Sequence, residues 1–469
     1  MVRRKSCPGG SILFRRQYIM EWNRIRSAEE MEEELDREIQ KNRVHGFRIR
    51  VLNAYGKPCR GVRLRAVHRN HEFTFGVCPN GHISMTNHLA CGEGPGAERY
   101  WERIGALFNA VTLWWGWRVL EPERGIHTFD RECGGYGPME RMIQRAEALG
   151  QRITAHALLY PRDDVSPQWI GKCTEEEARK ALEAHVCETV ERYRDRISCW
   201  HPVNEAYDEI QKAGNLRVNE GLVYRWVSDL APHASIVDNG GHTIDPDFYE
   251  KGIRNAGLFG GRVDDLGIRG YFELYDSSAV SFYKSMWEHF GALEERYHRG
   301  VRFTEIGASS AQRPGAYSPW DVDPTTAGQL GIANVEEYRA GQPITEETQA
   351  DFLVRMYKLA FAHPAVKECT YWDLCDTYTW NETEGGLIRP DLSPKPAYER
   401  LRKLIRGTWK TEAVLETDAD GCCGFGGFDG EYEVEFAARQ SGEDEKALAV
   451  RKYGAEMNSE HREYVICAE

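Results

Sequence analysis

The sequence predicts a (β/α)8 barrel of the TIM type, with a short N-terminal helix and β segment before it and a small C-terminal β-domain after it. Between about residues 73 and 405, eight short apolar runs alternate with long amphipathic stretches. A barrel of this kind commonly needs about 250 residues plus insertions, which this span supplies. A doubly wound open sheet is the alternative, but no G-x-G-x-x-G follows the first strand candidate.

The eight strand candidates are short runs rich in apolar and β-branched residues. In chain order they are FTFGV (73–77), FNAVTL (108–113), RITAHALL (152–159), ISCWHPV (197–203), ASIVD (234–238), DLGIRGYF (265–272), VRFTEI (301–306) and ECTYWDL (368–374). The stretches between them have helical periodicity, as in EEEARKALEAHVCETVERYR, and predict the surrounding helices.

The N-terminal part of the chain predicts a helix followed by a β-layer. Residues 27–43 are the helix candidate, because a Ser/Glu capping box opens them and apolar residues recur at every fourth position. FRIRVL (47–52) and GVRLRAV (61–67) then predict two strands that a turn joins.

Helical periodicity stops near the C-terminus. YEVEFAA (432–438) and KALAVRKY (446–453) predict strands there, and the Gly-rich CCGFGGFDG (422–430) predicts a turn region. We therefore predict three units, which are the N-terminal helix and β-layer (1–71), the catalytic barrel (72–405) and a small C-terminal β-domain (406–469).

The bulk composition limits the class of partner. The formal net charge of −13 argues against nucleic acid and anionic membranes, because both attract basic surfaces. No apolar run has the length of a membrane helix, and the N-terminus lacks a signal-peptide core. The thirteen cysteines have no zinc spacing, so we expect reduced thiols and neither a metal nor another cofactor. These features predict a cytoplasmic protein, or a secreted one if a leader was removed.

Two glutamates follow strand candidates on nearly opposite sides of the ring. Asn204 and Glu205 end the fourth strand in WHPVNEA, and Glu305 ends the seventh in RFTEIGA. The C-terminal ends of barrel strands meet at one mouth, where catalytic side chains lie. Glycoside hydrolysis needs two such carboxylates, one to protonate the leaving oxygen and one to attack or to activate water. Glutamates near strand ends also form simple ion pairs, so the spacing alone leaves both interpretations open.

Aromatic residues follow other strand candidates. LWWGWR (113–118) continues the second strand, His156 and Tyr160 end the third, and Trp372 and Trp380 lie in YWDLCDTYTW at the eighth. Sugar-binding clefts use flat indole faces against pyranose rings, although thirteen Trp also fit a large core. These positions are therefore candidates for substrate contact.

These blocks resemble glycoside hydrolase family 10, the endo-β-xylanase family, in order and spacing across almost the whole barrel. The matching blocks are FNAVT…VLEPERGIHTFD (108–130), TAHALLYP…PQWI (154–170), WHPVNEA (200–206), FTEI (303–306), YWDLCDTYTW (371–380) and LSPKPAYERL (392–401). The resemblance implies that Glu205 is the general acid/base and Glu305 the nucleophile of a retaining mechanism. It also implies that Asn204 binds the sugar 2-hydroxyl and that Trp372 and Trp380 form aromatic walls.

The sequence departs from the family pattern after the second and third strands. Trp114 and Trp115 stand where the family has the Glu and Asn that hold xylose hydroxyls, and Arg118 stands where it has Lys. His156 matches the family's first third-strand His, although a structural role for it is equally consistent, and Pro161 replaces the second. We therefore expect both indoles to crowd the glycone side of the cleft.

A second group of departures surrounds the nucleophile. Asn239 matches the family's fifth-strand Asn, but Arg269 and Tyr271 stand where the family has Gln and His on the sixth strand. Gly307 replaces the Asp that holds that His. A Tyr is longer than a His, so we expect the Tyr271 hydroxyl to donate a hydrogen bond to Glu305 and to favour its charged form.

The sequence as a whole predicts a metal-independent, retaining β-glycosidase that acts on a β-linked oligosaccharide or glycoside other than plain xylan. An endo-1,4-β-xylanase with unusual glycone subsites is the first alternative. A catalytically silent carbohydrate-binding protein on the same fold is the second. The expected partner is the carbohydrate substrate, and nothing in the sequence predicts the oligomeric state.

Overall fold

A computed structural model describes residues 20–79, 88–130, 139–163, 165–205, 219–241, 247–272, 275–311, 343–379, 384–439 and 448–468. Its strands are β1 (Val44–Asn53), β2 (Arg63–His71), β3 (Thr74–Val77), β4 (Ala110–Trp114), β5 (Arg152–Leu159), β6 (Cys199–Val203), β7 (Ser235–Gly241), β8 (Asp265–Phe272), β9 (Gly300–Ala308), β10 (Val366–Tyr371), β11 (Glu412–Glu416), β12 (Cys422–Phe428), β13 (Gly430–Arg439), β14 (Leu448–Met457) and β15 (Glu463–Ala468).

The described helices are α1 (Ala28–Arg43), α2 (Ala97–Leu107), α3 (Trp117–Leu120), α4 (Met139–Ala148), α5 (Glu175–Tyr193), α6 (Glu220–Leu230), α7 (Phe248–Leu258), α8 (Val280–Tyr297), α9 (Glu346–Ala362) and α10 (Pro396–Lys403). Within the described residues, none of them is both long enough and apolar enough to cross a membrane.

Strands β3 to β10 close into a parallel barrel in chain order, with β10 paired to β3. This arrangement confirms the predicted (β/α)8 fold class, and each predicted barrel strand coincides with an observed one. Parallel strands covered by helices are buried on both faces, which is why they are continuous apolar runs in the sequence. All five residues of β4 and of β6 are buried.

Helix α1 packs against the barrel. The Ser27 hydroxyl accepts a hydrogen bond from the Glu30 backbone N–H at 3.2 Å, which caps the helix start as the sequence predicts. Its apolar face, Met31, Leu35 and Ile39, is buried in the same core as the barrel strands and their helices. The predicted N-terminal helix therefore belongs to the barrel core rather than to a separate unit.

The remaining strands form two sheets, each of which combines a strand from before the barrel with strands from after it. One sheet has the order β12-β1-β15 and the other β11-β2-β13-β14. Their shared core is apolar and distinct from the barrel core. It includes Phe47, Ile49, Leu64, Val434, Met457 and Ile466. The prediction of two separate terminal β units is therefore wrong, because strands from residues 44–71 pair directly with strands from residues 412–468.

The Gly-rich run that predicts a turn region is instead strand β12. It pairs antiparallel with β1 over seven residues, from Val44 opposite Phe428 to Arg50 opposite Cys422. Glycine here serves close packing: a side chain at Gly427 would lie 2.4 Å from the Tyr432 hydroxyl.

Candidate active site

Both candidate catalytic glutamates lie at the C-terminal mouth of the barrel. Asn204 and Glu205 directly follow β6, where Asn204 forms a parallel bridge to Asn239 on β7. Glu305 lies on β9. The backbone of Glu205 has a φ of 52°, a left-handed conformation that costs a non-glycine residue roughly 1–3 kcal/mol and is concentrated at functional sites.

Glu305 is buried, with 4% of its surface exposed, and two side chains donate hydrogen bonds to it. Asn239 Nδ2 donates to Oε1 at 2.8 Å, and the Tyr271 hydroxyl donates to Oε2. Asn239 Nδ2 also donates to Asn204 Oδ1 at 2.9 Å, and its own Oδ1 accepts from the Thr304 hydroxyl at 2.5 Å. The amide is thus fixed in one orientation, with its nitrogen donating to the Glu305 carboxylate and to Asn204.

The contact expected between Tyr271 and Glu305 is therefore present. Tyr271 lies opposite Gly307 in the register between β8 and β9. A Cβ atom at residue 307 would lie 2.9 Å from Tyr271 Cδ1 and 2.8 Å from the Trp372 carbonyl oxygen. The ring of Tyr271 occupies space that any larger residue at 307 would need, so the two departures form one structural change.

Glu205 has different partners. Arg269 Nη1 lies 2.5 Å from its Oε1, and the Tyr160 hydroxyl donates to its Oε2. Arg162 Nη1 in turn donates to the Tyr160 oxygen at 3.1 Å. The Arg269 side chain is 1% exposed and also donates to the Gly240 carbonyl at 3.1 Å, whereas the Glu205 side chain is 21% exposed. One carboxylate is thus enclosed by neutral donors and the other is paired with a buried cation.

The protonation states follow from burial and from these partners. Burial raises the pKa of Glu305, while the Arg269 charge and the Tyr271 and Asn239 donors oppose that rise. Burial, with the Arg269 charge adding to it, lowers the pKa of His156 to about 3, so this ring is neutral. Burial and the adjacent Glu305 raise the pKa of Tyr271 well above its usual range, which keeps its hydroxyl proton available for donation.

His156 lies beside the candidate nucleophile without forming a hydrogen bond to it. Its Nε2 is 3.8 Å from Glu305 Oε1, and its Nδ1 is 2.9 Å from His201 Nδ1. Its ring packs edge-on against Trp372, with ring centroids 5.0 Å apart. The neutral ring therefore links the third strand to the eighth at the floor of the mouth.

Residues 88–227 match the sequence model of glycosyl hydrolase family 10. Endo-1,4-beta-xylanase B of Thermotoga neapolitana is 22% identical over 66% of this chain and 84% of its own length. Anti-sigma-I factor RsgI6 of Acetivibrio thermocellus is 21% identical over 90% of this chain. Over residues 88–227 the chain is therefore similar to glycosyl hydrolase family 10. It spans about half the length of the RsgI6 protein, 49%, so the whole relative is larger than this chain.

Solved structures with the same barrel are similar to this chain. Xylanase 10B from Thermotoga petrophila RKU-1, in complex with xylobiose, superposes with a TM-score of 0.53 at 18% identity, over 72% of this chain and 95% of that one. A GH10 endoxylanase from a sugarcane soil metagenome gives a TM-score of 0.55 at 18% identity, over 71% and 97% of the two chains. At this identity the likeness establishes the fold.

The two tryptophans that replace family 10 hydroxyl-binding residues point in opposite directions. Trp114 packs in a small apolar cluster with Tyr271 and Trp372 at the mouth, and its ring lies so close to Gly116 that a Cβ there would meet it at 1.6 Å. Trp115 is fully buried outside the barrel strands, where its ring packs against Tyr193 and Trp200. The prediction that Trp115 contacts substrate is wrong, because its indole is fully buried against Tyr193 and Trp200 and not at the mouth.

The other predicted positions have mixed outcomes. Arg118 is partly buried on α3, and its backbone N–H donates to the Val165 carbonyl at 3.2 Å. Trp372, 6% exposed, belongs to the cluster with Trp114, whereas Trp380 lies outside the described residues. Within the described residues, the one cluster with metal-ligand spacing lies elsewhere, at Glu121.

Three residues of the site carry no sequence signal strong enough to predict their roles. Arg162 lies in a loop and donates a hydrogen bond to the Tyr160 oxygen. In the sequence, a single arginine in a loop cannot be distinguished from an ordinary surface charge. Thr304 orients Asn239 from the position before Glu305, and His201 faces His156 from β6. Thr304 and His201 are polar residues at strand positions that the barrel pattern predicts to be buried. That combination is the only sequence signal for their roles.

Proposed function

We propose that the protein is a retaining β-glycoside hydrolase of family 10 type, with Glu305 as nucleophile and Glu205 as acid/base. The observation that carries the proposal is the pair of neutral donors, Asn239 and Tyr271, on a buried carboxylate that shares the barrel mouth with a second, more accessible one. Such donors favour the charged form that a nucleophile needs.

In the first step a Glu305 oxygen attacks the anomeric carbon and the bond to the leaving oxygen breaks, while the Glu205 carboxyl proton passes to that oxygen. In the second step Glu205 takes a proton from water, whose oxygen attacks the anomeric carbon and releases Glu305. Asn204, held by Asn239 at 2.9 Å, is positioned beside both carboxylates to bind the sugar 2-hydroxyl. Two inversions give net retention.

The substrate is inferred from the departures at the mouth. The relative from Thermotoga neapolitana is named an endo-1,4-beta-xylanase, and the family 10 resemblance matches Trp114 to a hydroxyl-binding Glu. This indole packs against Tyr271 and Trp372, where it fills space near the nucleophile with an apolar ring. We infer a β-linked oligosaccharide or glycoside other than plain xylan, with few hydroxyl contacts on the glycone side. An endo-xylanase with altered subsites is the alternative.

A carbohydrate-binding role without turnover is a second candidate, and two contacts favour it. Arg269 Nη1 lies 2.5 Å from Glu205 Oε1 and the Tyr160 hydroxyl donates to Oε2, so both oxygens of the candidate acid/base already have partners within the protein. For hydrolysis, the substrate must therefore displace one of these contacts so that Glu205 can reach the leaving oxygen.

A substrate panel separates these candidates. Purified protein is incubated with aryl β-glycosides, with xylo-oligosaccharides and with xylan, in parallel with Glu305→Ala and Glu205→Ala. Steady-state chromophore release that Glu305→Ala abolishes and Glu205→Ala reduces supports hydrolysis, and depolymerisation of xylan identifies endo action. Saturable oligosaccharide binding with no turnover by the unaltered protein, at any pH between 4 and 9, would establish the binding role instead.

A further inference from the structure

A second cluster of titratable side chains lies away from the barrel mouth. Glu121 directly follows helix α3, His127 lies six residues later, and His185 lies on helix α5. His127 Nε2 and His185 Nδ1 are each 3.8 Å from Glu121 Oε2, and the three atoms all lie within 4.8 Å of one another. Nothing in the proposed hydrolysis uses these groups.

The imidazole nitrogens of this cluster are buried and poorly hydrogen-bonded. His185 is fully buried, and in the described part of the chain its ring nitrogens have no hydrogen-bond partner of good geometry beyond a weak contact with the Leu158 backbone carbonyl. Nε2 of His127, whose side chain is 17% exposed, likewise has no hydrogen-bond partner among the described residues. A buried polar atom left without a partner is destabilising, so a group that ligates these atoms would stabilise the fold.

One nitrogen of each imidazole ring faces the Glu121 carboxylate. His185 Nδ1 and His127 Nε2 both lie 3.8 Å from Glu121 Oε2, which is too long for a hydrogen bond. Nδ1 of His127 lies 3.2 Å from Glu188 Oε2, and a carboxylate at that nitrogen retains the ring proton there. Nε2 then presents its lone pair to Glu121. This pairing of an imidazole with an outer carboxylate orients histidines that bind metals.

We propose that Glu121, His127 and His185 bind a divalent transition-metal ion of the Zn²⁺ class. Two imidazole nitrogens and one carboxylate oxygen suit Zn²⁺, whereas Mg²⁺ and Ca²⁺ prefer oxygen ligands alone. Tetrahedral zinc with bonds of about 2.0–2.1 Å needs donors roughly 3.3 Å apart. The two 3.8 Å separations from Glu121 therefore require a contraction of about half an ångström, and the two imidazole nitrogens, which lie within 4.8 Å of each other, must also move together. Water can complete the shell from the partly exposed side of His127.

The ion would join two segments behind the mouth. Trp117 Nε1 donates to Glu121 Oε2 at 2.8 Å, and the Trp117 ring stacks on His185 with centroids 4.9 Å apart. Trp117 begins α3 and follows Gly116, on which the mouth residue Trp114 packs. A bound ion therefore fixes α3 against α5 and supports Trp114 indirectly. Its role is structural.

The test compares the intact protein with His127→Phe. This substitution keeps an aromatic ring stacked on Phe129, 5.0 Å away and nearly parallel, and removes the nitrogen ligand. Chelator-treated samples are titrated with Zn²⁺ by calorimetry and with Co²⁺ by visible absorption. The unaltered protein should bind one equivalent more than His127→Phe, and Zn²⁺ should raise its Tm but not that of the variant.

Two further variants control the comparison. His88→Phe removes a histidine 3.7 Å from a carboxylate, Glu93, and 55% exposed, so it should retain the full stoichiometry. Glu121→Gln, which keeps the side-chain shape, should lose the same equivalent as His127→Phe. Equal zinc stoichiometry in the unaltered protein and both cluster variants would overturn the proposal. So would a Tm that depends on pH but not on Zn²⁺, because the cluster would then hold a proton.

Discussion

Glu305 and Glu205 lie at the same barrel mouth but in different surroundings. Glu305 is enclosed, and neutral donors from Asn239 and Tyr271 contact its two oxygens. Glu205 is partly exposed and pairs with the buried guanidinium of Arg269. The difference suits the proposed division of work: a nucleophile needs fixed geometry and a stable negative charge, whereas an acid/base residue must exchange its proton with substrate and water. Four substitutions test this comparison.

The largest effect should come from Glu305→Ala. Removal of the nucleophile should lower kcat on aryl β-glycosides by more than about 10³-fold, which corresponds to about 4 kcal/mol of barrier. The anion azide should partly restore turnover, with an inverted product, because it can attack the anomeric carbon in the space left by the carboxylate. Circular dichroism and Tm establish that the variant is folded. Near-normal turnover would refute the assignment of Glu305.

Glu205→Ala should have an effect that depends on the leaving group. General acid/base catalysis contributes about 10²- to 10⁴-fold, so oligosaccharides with poor leaving groups should lose activity in that range. Nitrophenyl glycosides, which need little protonation, should retain fast glycosylation and accumulate the glycosyl-enzyme. Azide should then give a product of retained configuration. An equal loss on both substrate types would contradict an acid/base role for Glu205.

Tyr271→Phe isolates one donor on the nucleophile. Loss of a hydrogen bond to a charged group, about 1.5–3 kcal/mol, should slow glycosylation by about ten- to a hundredfold. Burial already raises the pKa of Glu305 and the Tyr271 donor lowers it, so the substitution should raise this pKa further. Because the nucleophile reacts in its charged form, the acid limb of kcat/KM should move to higher pH.

A matched control distinguishes this effect from general damage. Tyr275→Phe also removes a buried hydroxyl, which donates to the Ser309 carbonyl at 2.7 Å and has no contact with either carboxylate. It should lower Tm without moving the acid limb. An unmoved limb in Tyr271→Phe, or an equal shift in both variants, would mean that Tyr271 only fills space.

The barrel and the two glutamates are predictable from the sequence for a physical reason. Buried parallel strands are continuous apolar runs, and barrel topology brings their C-terminal ends together. The pairing of β2 with β11 and β13 could not be predicted, because periodicity indicates a strand but not its partner some 350 residues away. The Glu121 cluster was missed for the same reason: His185 lies on another element, so no local spacing joins the ligands.

The direction of Trp115 was available from the sequence. Residues of a strand alternate between its two faces, so Trp114 and Trp115 cannot both face the mouth while the strand continues. The resemblance to family 10 concealed this, because it matched both positions to hydroxyl-binding residues. The contact of Arg269 with Glu205, by contrast, could not be predicted from the sequence. It depends on the register of β8 with β9, which is irregular between Ile268 and Arg269.

The smallest effect should come from Trp114→Glu, which restores the family residue at the only one of the two positions that faces the mouth. Trp114 packs against Tyr271 and Trp372, so a shorter polar side chain opens space beside the nucleophile and supplies a hydroxyl acceptor. We compare kcat/KM on xylo-oligosaccharides with kcat/KM on an aryl β-glycoside that the unaltered protein cleaves. We expect the ratio of the two to rise by a few-fold, which corresponds to about 1 kcal/mol of transition-state free energy. Trp115→Phe is the control. It lies in the outer core against Tyr193 and Trp200, so it should lower Tm and leave the ratio unchanged. A ratio that moves equally in both variants would show that packing of the second strand as a whole, and not the indole at the mouth, determines specificity.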